Sequence, residues 1–286
     1  MIIRKIFLLS LFLFLIPGLV LADFMELEGG VRTKGMGGAF TGIADDINAI
    51  YYNPAGLGQF QKGEVYLCYN NYYNLDLLTS FILSVATPGI AEGTIGFSYK
   101  KVGVGDKVNF LNNYNEAVYN LSYGLEVADS IYIGANAKFL KITYDVRASA
   151  IGYDVGALFR TFEKHLSVGL MLKNINKPTI RWENGTKEEL EQVIRIGAGI
   201  RPNNDLLLGV DLDGVNQENY NIHAGGEMWF FNRLVAPRIG LAYLQSDGLS
   251  LNAGASLQYK YLRVDYTLEK HYELGYDHLF GVLIKF

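Results

Sequence analysis

A single cysteine, Cys68, in a chain of 286 residues rules out an intrachain disulfide, although an exported chain would have had the chance to form one. It lies in an apolar and aromatic segment, as a thiol that is either packed or turned towards lipid. Basic blocks are also missing, which argues against nucleic acid as a partner. After the first 22 residues no apolar run approaches the roughly 20 residues that a membrane-spanning helix needs. The four histidines, His165, His223, His271 and His278, are scattered without metal-ligand spacing. Neither a Ser-His-Asp nor a Cys-His arrangement can be assembled, and no cofactor or resident metal is expected.

The N-terminus is richer in signal. Arg4 and Lys5 precede an almost uninterrupted apolar run from Ile6 to Leu15, then Pro17-Gly18, then Val20-Leu21-Ala22. This pattern is that of a secretory signal peptide over 1–22, cleaved before Asp23. A retained anchor is disfavoured because the run is short for a spanning helix. Without Arg4 and Lys5 the remaining chain has 23 basic against 29 acidic residues, a net of −6. Its 20 tyrosines, 16 phenylalanines and 32 glycines suit a transmembrane barrel, where aromatic girdles mark both interfaces and glycines let backbones approach the wall.

From about Lys62 the apolar residues recur with period two, the strand period. Leu166, Val168, Leu170 and Leu172 alternate with Ser167, Gly169, Met171 and Lys173, and Ile194, Ile196, Ala198 and Ile200 alternate with Arg195, Gly197, Gly199 and Arg201. One face is apolar and the other mixed. Reading on in this way gives fourteen strands, near 64–70, 77–87, 94–102, 116–126, 131–143, 150–160, 166–174, 192–200, 206–212, 221–231, 235–243, 249–259, 262–267 and 278–286. A soluble sandwich would alternate too. The connections decide: the even-numbered ones are short ("PGIAEG", "EVADS", "RPNND", "KY") and the odd-numbered ones mostly longer ("GVGDKVNFLNNYN", "NKPTIRWENGTKEELEQ"). That parity belongs to an outer-membrane barrel, with short periplasmic turns and longer external loops.

The stretch from Lys34 to Phe60 precedes the strands. Gly35-Met36-Gly37-Gly38-Ala39-Phe40-Thr41, then Asp45-Asp46, then Ala49-Ile50-Tyr51-Tyr52-Asn53-Pro54-Ala55-Gly56-Leu57 resembles the N-terminal segment of the long-chain fatty-acid transporter (FadL) superfamily, and within it the PorV/PorQ-like branch. Tyr52 stands where that branch usually carries Trp. The resemblance implies an antiparallel transmembrane barrel of about fourteen strands over 62–286, a plug over 23–61 inside its lumen, an outer-membrane location and no enzymatic activity. Phe286 closes an alternating strand and resembles the signal read by the barrel assembly machinery. The chain is shorter than its better-known relatives, so their substrates do not carry over with the fold.

Read as a plug, the segment needs small residues where its backbone meets the wall, and Gly35, Gly37 and Gly38 supply them. A phosphate loop is excluded because no strand precedes the glycines and no Lys-Ser/Thr follows. The run Ala44–Tyr51 can form two helical turns, ended by Pro54 acting on Asn53; Asn53 can then bond the backbone around Pro54 and Ala55. Asp45 and Asp46 could cap that helix, bond lumen cations or join a divalent ion, though adjacent carboxylates alone make no cage. Arg195, Arg201, Asp211, Glu227, Arg238, Arg263 and Asp265 are expected in the lumen, either as a sealing network or as a constriction that moves with the plug. The loop Asn176–Gln192, with Trp182 and "KEELEQ", is expected to be solvated or to bind a partner. The leading expectation is passage of hydrophobic or amphipathic small molecules, with lipid around the barrel and a hydrophobic ligand in its lumen. A second is a component that holds exported proteins or a secretion subunit, and a third is a structural barrel.

Overall fold

A computed structural model describes residues 29–72, 78–104, 114–143, 147–161, 165–215, 219–245, 248–271 and 275–286. The signal-peptide reading of 1–22 and the first six residues of the expected plug lie outside the described residues. Among the described residues no helix is long and apolar enough to cross a membrane.

The strands are β1 (Glu64–Tyr72), β2 (Leu78–Ile90), β3 (Gly93–Val104), β4 (Asn115–Ala128), β5 (Ile131–Thr143), β6 (Arg147–Arg160), β7 (Leu166–Lys173), β8 (Thr179–Trp182), β9 (Lys187–Glu189), β10 (Val193–Ile200), β11 (Leu206–Val215), β12 (Asn219–Met228), β13 (Val235–Leu244), β14 (Gly248–Tyr259), β15 (Leu262–His271) and β16 (Gly275–Lys285). Each pairs antiparallel with its neighbours, and β1 against β16 closes the ring. β7 pairs directly with β10, so fourteen strands form the barrel and β8 with β9 form an added hairpin. That hairpin joins the wall where Ala148 and Ser149 of β6 face Trp182 and Arg181. Part of the 174–192 connection is therefore structured, because Ile180 and Trp182 alternate with Thr179 and Arg181 as they do in a strand.

Burial shows which face is which. Asp265 is 0% exposed and Arg195 1%, whereas Ile239 is 68% and Leu121 and Ile151 are 55% exposed. A soluble protein distributes these residue types the other way round. Here the apolar face points outward and the polar face lines the lumen, as in a barrel whose outer solvent is lipid. The seam is tight at the short-turn end: the amide of Gly63 donates to the carbonyl of Phe286 at 3.0 Å, and the amide of Phe286 donates back at 2.9 Å.

The lumen is filled by the preceding segment. It contains two one-turn helices, α1 (Val31–Gly35) and α2 (Ala49–Tyr52), and a 3-10 turn over Pro54–Gln59. The helix expected over Ala44–Tyr51 is confined to its last turn. Ala44 has φ of 38°, and the carboxylate of Asp46 accepts the Asn48 amide at 3.0 Å. Tertiary bonds of the two aspartates take precedence there over helix propensity.

Candidate functional site in the barrel lumen

The site is the interface between the plug and the inner wall. Arg32 of α1 is its hub. Its Nε and Nη2 each donate to Glu227 on β12 at 2.9 Å, and Nη1 reaches Asp45 at 2.5 Å and Asp46 at 3.0 Å. Asp46 also accepts from Arg263 of β15 at 2.8 Å, and Asp45 from Arg201 at 2.6 Å. Arg238 on β13 lies 3.3 Å from both Glu227 and Asp265, and Arg263 bonds Asp265 at 3.0 Å. Opposite charges in a water-poor interior hold only when paired, so this network locks the geometry of the parts it joins.

Two aspartates of the plug carry the electrical signature of that locking. Burial alone would raise the carboxyl of Asp46, but Arg263 and Arg32 outweigh it and hold it down at about 2. Asp45 is pushed well below the usual carboxylate range, with burial overcome by Arg32 and Arg201. Both are anions throughout the physiological range. Their position is set by arginines, with no need of a metal ion.

A second set of contacts holds the middle of the plug. Arg195 of β10 lies 3.3 Å from Asp211 and 3.2 Å from Asp213, donates to the carbonyl of Gly38 at 3.2 Å, and covers the ring of Tyr52. Asp211 accepts the amides of Phe40 and Thr41 at 3.0 and 2.8 Å. Asn53 accepts from the Ala55 amide and donates to the carbonyls of Thr41 and Ala157, which fixes Pro54 against the wall. Thus all seven of the wall residues singled out above meet the plug or one another.

Backbone approach accounts for the glycines. Gly124, Gly134 and Gly156 face each other across β4, β5 and β6, Gly169 faces Gly197, and Gly209, Gly225 and Gly240 form another row across β11, β12 and β13. Against these rows run Pro54, Asn53, Thr41, Gly42, Ala39, Met36 and Gly37. A Cβ on any of these eight wall glycines would overlap the plug. On the plug side, Gly37 has φ of 67° and abuts the backbone of Leu241. Gly38 has φ of 86°, and Gly35 packs on Arg238 and Thr267.

Above the plug, towards the long-loop end, the inner wall changes character. Leu140 and Ile142 of β5 and Ala148 and Ala150 of β6 point inward and form an apolar patch, covered by Ile180 and Leu190 of the hairpin region. Lys138, bonded to Asp154 at 2.8 Å and to Asn174 at 2.9 Å, borders it. Across the lumen Glu269, His271 and Asp277 bring possible ligand atoms within 4.8 Å of one another. His271 bonds Asp277 at 3.0 Å, Ser250 donates to Glu269 and Lys34 approaches it at 3.7 Å, so protein groups already serve this cluster.

Arg32, Asp213, His223 and the alignment of the wall glycines into rows were missed in the sequence. Arg32 carried no signal of its own, because it precedes the strands and their alternation.

These features define a closed β-barrel with its own N-terminal segment seated across the lumen. No protein-family model and no curated protein matches the chain. Solved structures do. The toluene transporter TodX of P. putida matches with a TM-score of 0.66 and 11% identity, over 91% of this chain and 97% of that one. The monoaromatic hydrocarbon channel CymD matches at 0.66 and 13%, over 92% and 97%. A FadL homologue of Pseudomonas aeruginosa matches at 0.63 and 11%, over 90% and 95%. The chain shares the fold of these FadL-type barrels.

Proposed function

We propose that this protein is an outer-membrane transporter of the FadL superfamily that passes hydrophobic or amphipathic small molecules. On this reading residues 1–22 direct export, residues 23–61 stopper the lumen, and the long-loop end faces the exterior. The observation that carries it is the apolar luminal patch of Leu140, Ile142, Ala148 and Ala150, placed above the stopper and covered by Ile180 and Leu190. An apolar solute that takes the place of Ile180 and Leu190 gains by leaving water for such a surface. The fold it shares with two hydrocarbon channels and a FadL homologue supports the same cargo. The plug's ion pairs and glycine rows make wholesale ejection costly, so local rearrangement is the route by which the lumen opens.

Uptake of labelled fatty acid and monoaromatic hydrocarbon by whole cells and by proteoliposomes tests this. Uptake that is unaffected by loss of the gene, and by deletion of 23–61, would overturn it. The motif from Gly35 to Leu57, with its PorV/PorQ-like resemblance, motivates the second reading, a partner of exported proteins. Crosslinking from the 176–192 loop should then recover a secreted protein; the solved structures above lend that reading no support.

A further inference from the structure

The luminal cations discussed above are paired, whereas five basic residues on the outside have no ion-pair partner among the described residues. Lys101 lies on β3, Lys141 on β5, Arg147 on β6, Arg181 on β8 and Lys187 on β9; all are exposed. None of them makes a salt bridge among the described residues. The ladder registers place four of them in one row: Lys101 faces Ala117, Ala117 faces Lys141, Lys141 faces Ser149, Ser149 faces Arg181, and Arg181 faces Lys187. Lys101 is three residues from the long-loop end of its strand, Lys141 two, and Arg147 begins β6. The row therefore follows the rim of the barrel.

One step towards the membrane, about 7 Å along the strands, runs a second row: Tyr99, Tyr119, Phe139 and Ile151. Its rings lie against one another in sequence, tilted, with centroids 5.1 Å apart from Tyr99 to Tyr119 and 6.2 Å from Tyr119 to Phe139. Aromatic belts mark the depth of the lipid headgroups, so the basic row lies where headgroup phosphates sit. Between the two rows Lys141, Arg147, Ser149 and Arg181 open a pocket of about 320 Å³ with Phe139 at its base and Glu183 at its rim. Arginine offers a planar fork to phosphate oxygens and lysine a point charge. An apolar floor beside this charge suits a ligand with both phosphate and acyl chains.

We propose that this pocket binds the phosphorylated headgroup of an outer-leaflet glycolipid, with acyl chains lying on the Tyr119, Phe139 and Ile151 row. The inference rests on the outer-membrane reading above. It ties the hairpin carrying Arg181, and thus the cover of the apolar luminal patch, to the surrounding lipid.

The full-length protein in phosphatidylcholine nanodiscs, titrated with bis-phosphorylated lipid A and followed by native mass spectrometry, tests it. Each basic group near anionic lipid contributes about fivefold in affinity. The Lys141→Gln, Arg147→Gln, Arg181→Gln triple variant should therefore bind about 10²-fold more weakly, and Lys270→Gln, on the far side of the rim, should bind as the wild type does. Dephosphorylated lipid A should bind the unaltered protein poorly, which needs no variant to fold. Equal retention of the two lipids by the wild type, or triple-variant binding within about threefold of it, would overturn the proposal. Cell fractionation is read separately: a protein absent from the outer membrane refutes the location, whereas a resident barrel indifferent to lipid phosphate refutes only the pocket.

Discussion

Replacing Arg32 with alanine should unseat the plug while leaving the barrel closed. The guanidinium makes two bonds to Glu227 and one each to Asp45 and Asp46, and its side chain is only 5% exposed. Removing one member of a buried ion cluster costs about 3–5 kcal/mol, because the partners stay buried without it. Each carboxylate here keeps another arginine: Asp45 keeps Arg201, Asp46 keeps Arg263 and Glu227 keeps Arg238. The lower end, about 3 kcal/mol, therefore applies, and at 1.4 kcal/mol per tenfold the released state gains about 10²-fold in population. Hydrogen exchange of residues 31–57 should accelerate by that factor, and planar-bilayer conductance should show openings that the wild type lacks. Heat-dependent gel mobility confirms that the barrel is folded. Arg32→Lys should recover only part of the effect, since a point charge cannot reproduce the paired bonds to Glu227. Exchange and conductance within threefold of wild type, in a folded barrel, would refute the hub.

Acid should loosen the same contact. Asp45 and Asp46 have folded values below their unfolded ones, so the stability they contribute is present above about pH 4 and lost as pH falls through about 2 for Asp46; plug exchange followed against pH should stay flat down to about pH 4 and rise below it. Gly240→Val should prevent seating, because its side chain would enter the backbone of Met36 and Gly37, and limited proteolysis should then cut within residues 29–60. Cys68, 2% exposed and bonded through its thiol to Asn70, should resist maleimide until the barrel is denatured; rapid labelling of the folded form would contradict its inward placement.

The strands were legible because lipid outside and a polar lumen inside impose a strict period of two, and loop parity separated a barrel from a sandwich. The hairpin of β8 and β9 was not, since segments of four and three residues carry too few alternations to stand out from a charged loop. Arg32 was hidden for a different reason: its bidentate partner Glu227 is 195 residues away, and only the register of β12 around the closed ring brings them together. The glycines of the wall were visible singly, as Gly169 and Gly197 on the mixed faces. Their alignment into rows appears only when the pairings are known, because the register between neighbouring strands decides which glycines stand opposite one another. Helix propensity misled at Ala44–Ile47, where wall arginines claim the aspartates.

The central claim is that apolar cargo enters the lumen, and the alternation of β5 and β6 makes it testable residue by residue. A diazirine-bearing fatty acid, photolysed with the folded protein and mapped by peptide mass spectrometry, should mark the inward Leu140, Ile142, Ala148 and Ala150 and be competed away by unlabelled ligand. Adducts confined to the outward neighbours Phe139 and Ile151, and unaffected by competition, would show a lipid-coated barrel with no cargo site and would contradict the account.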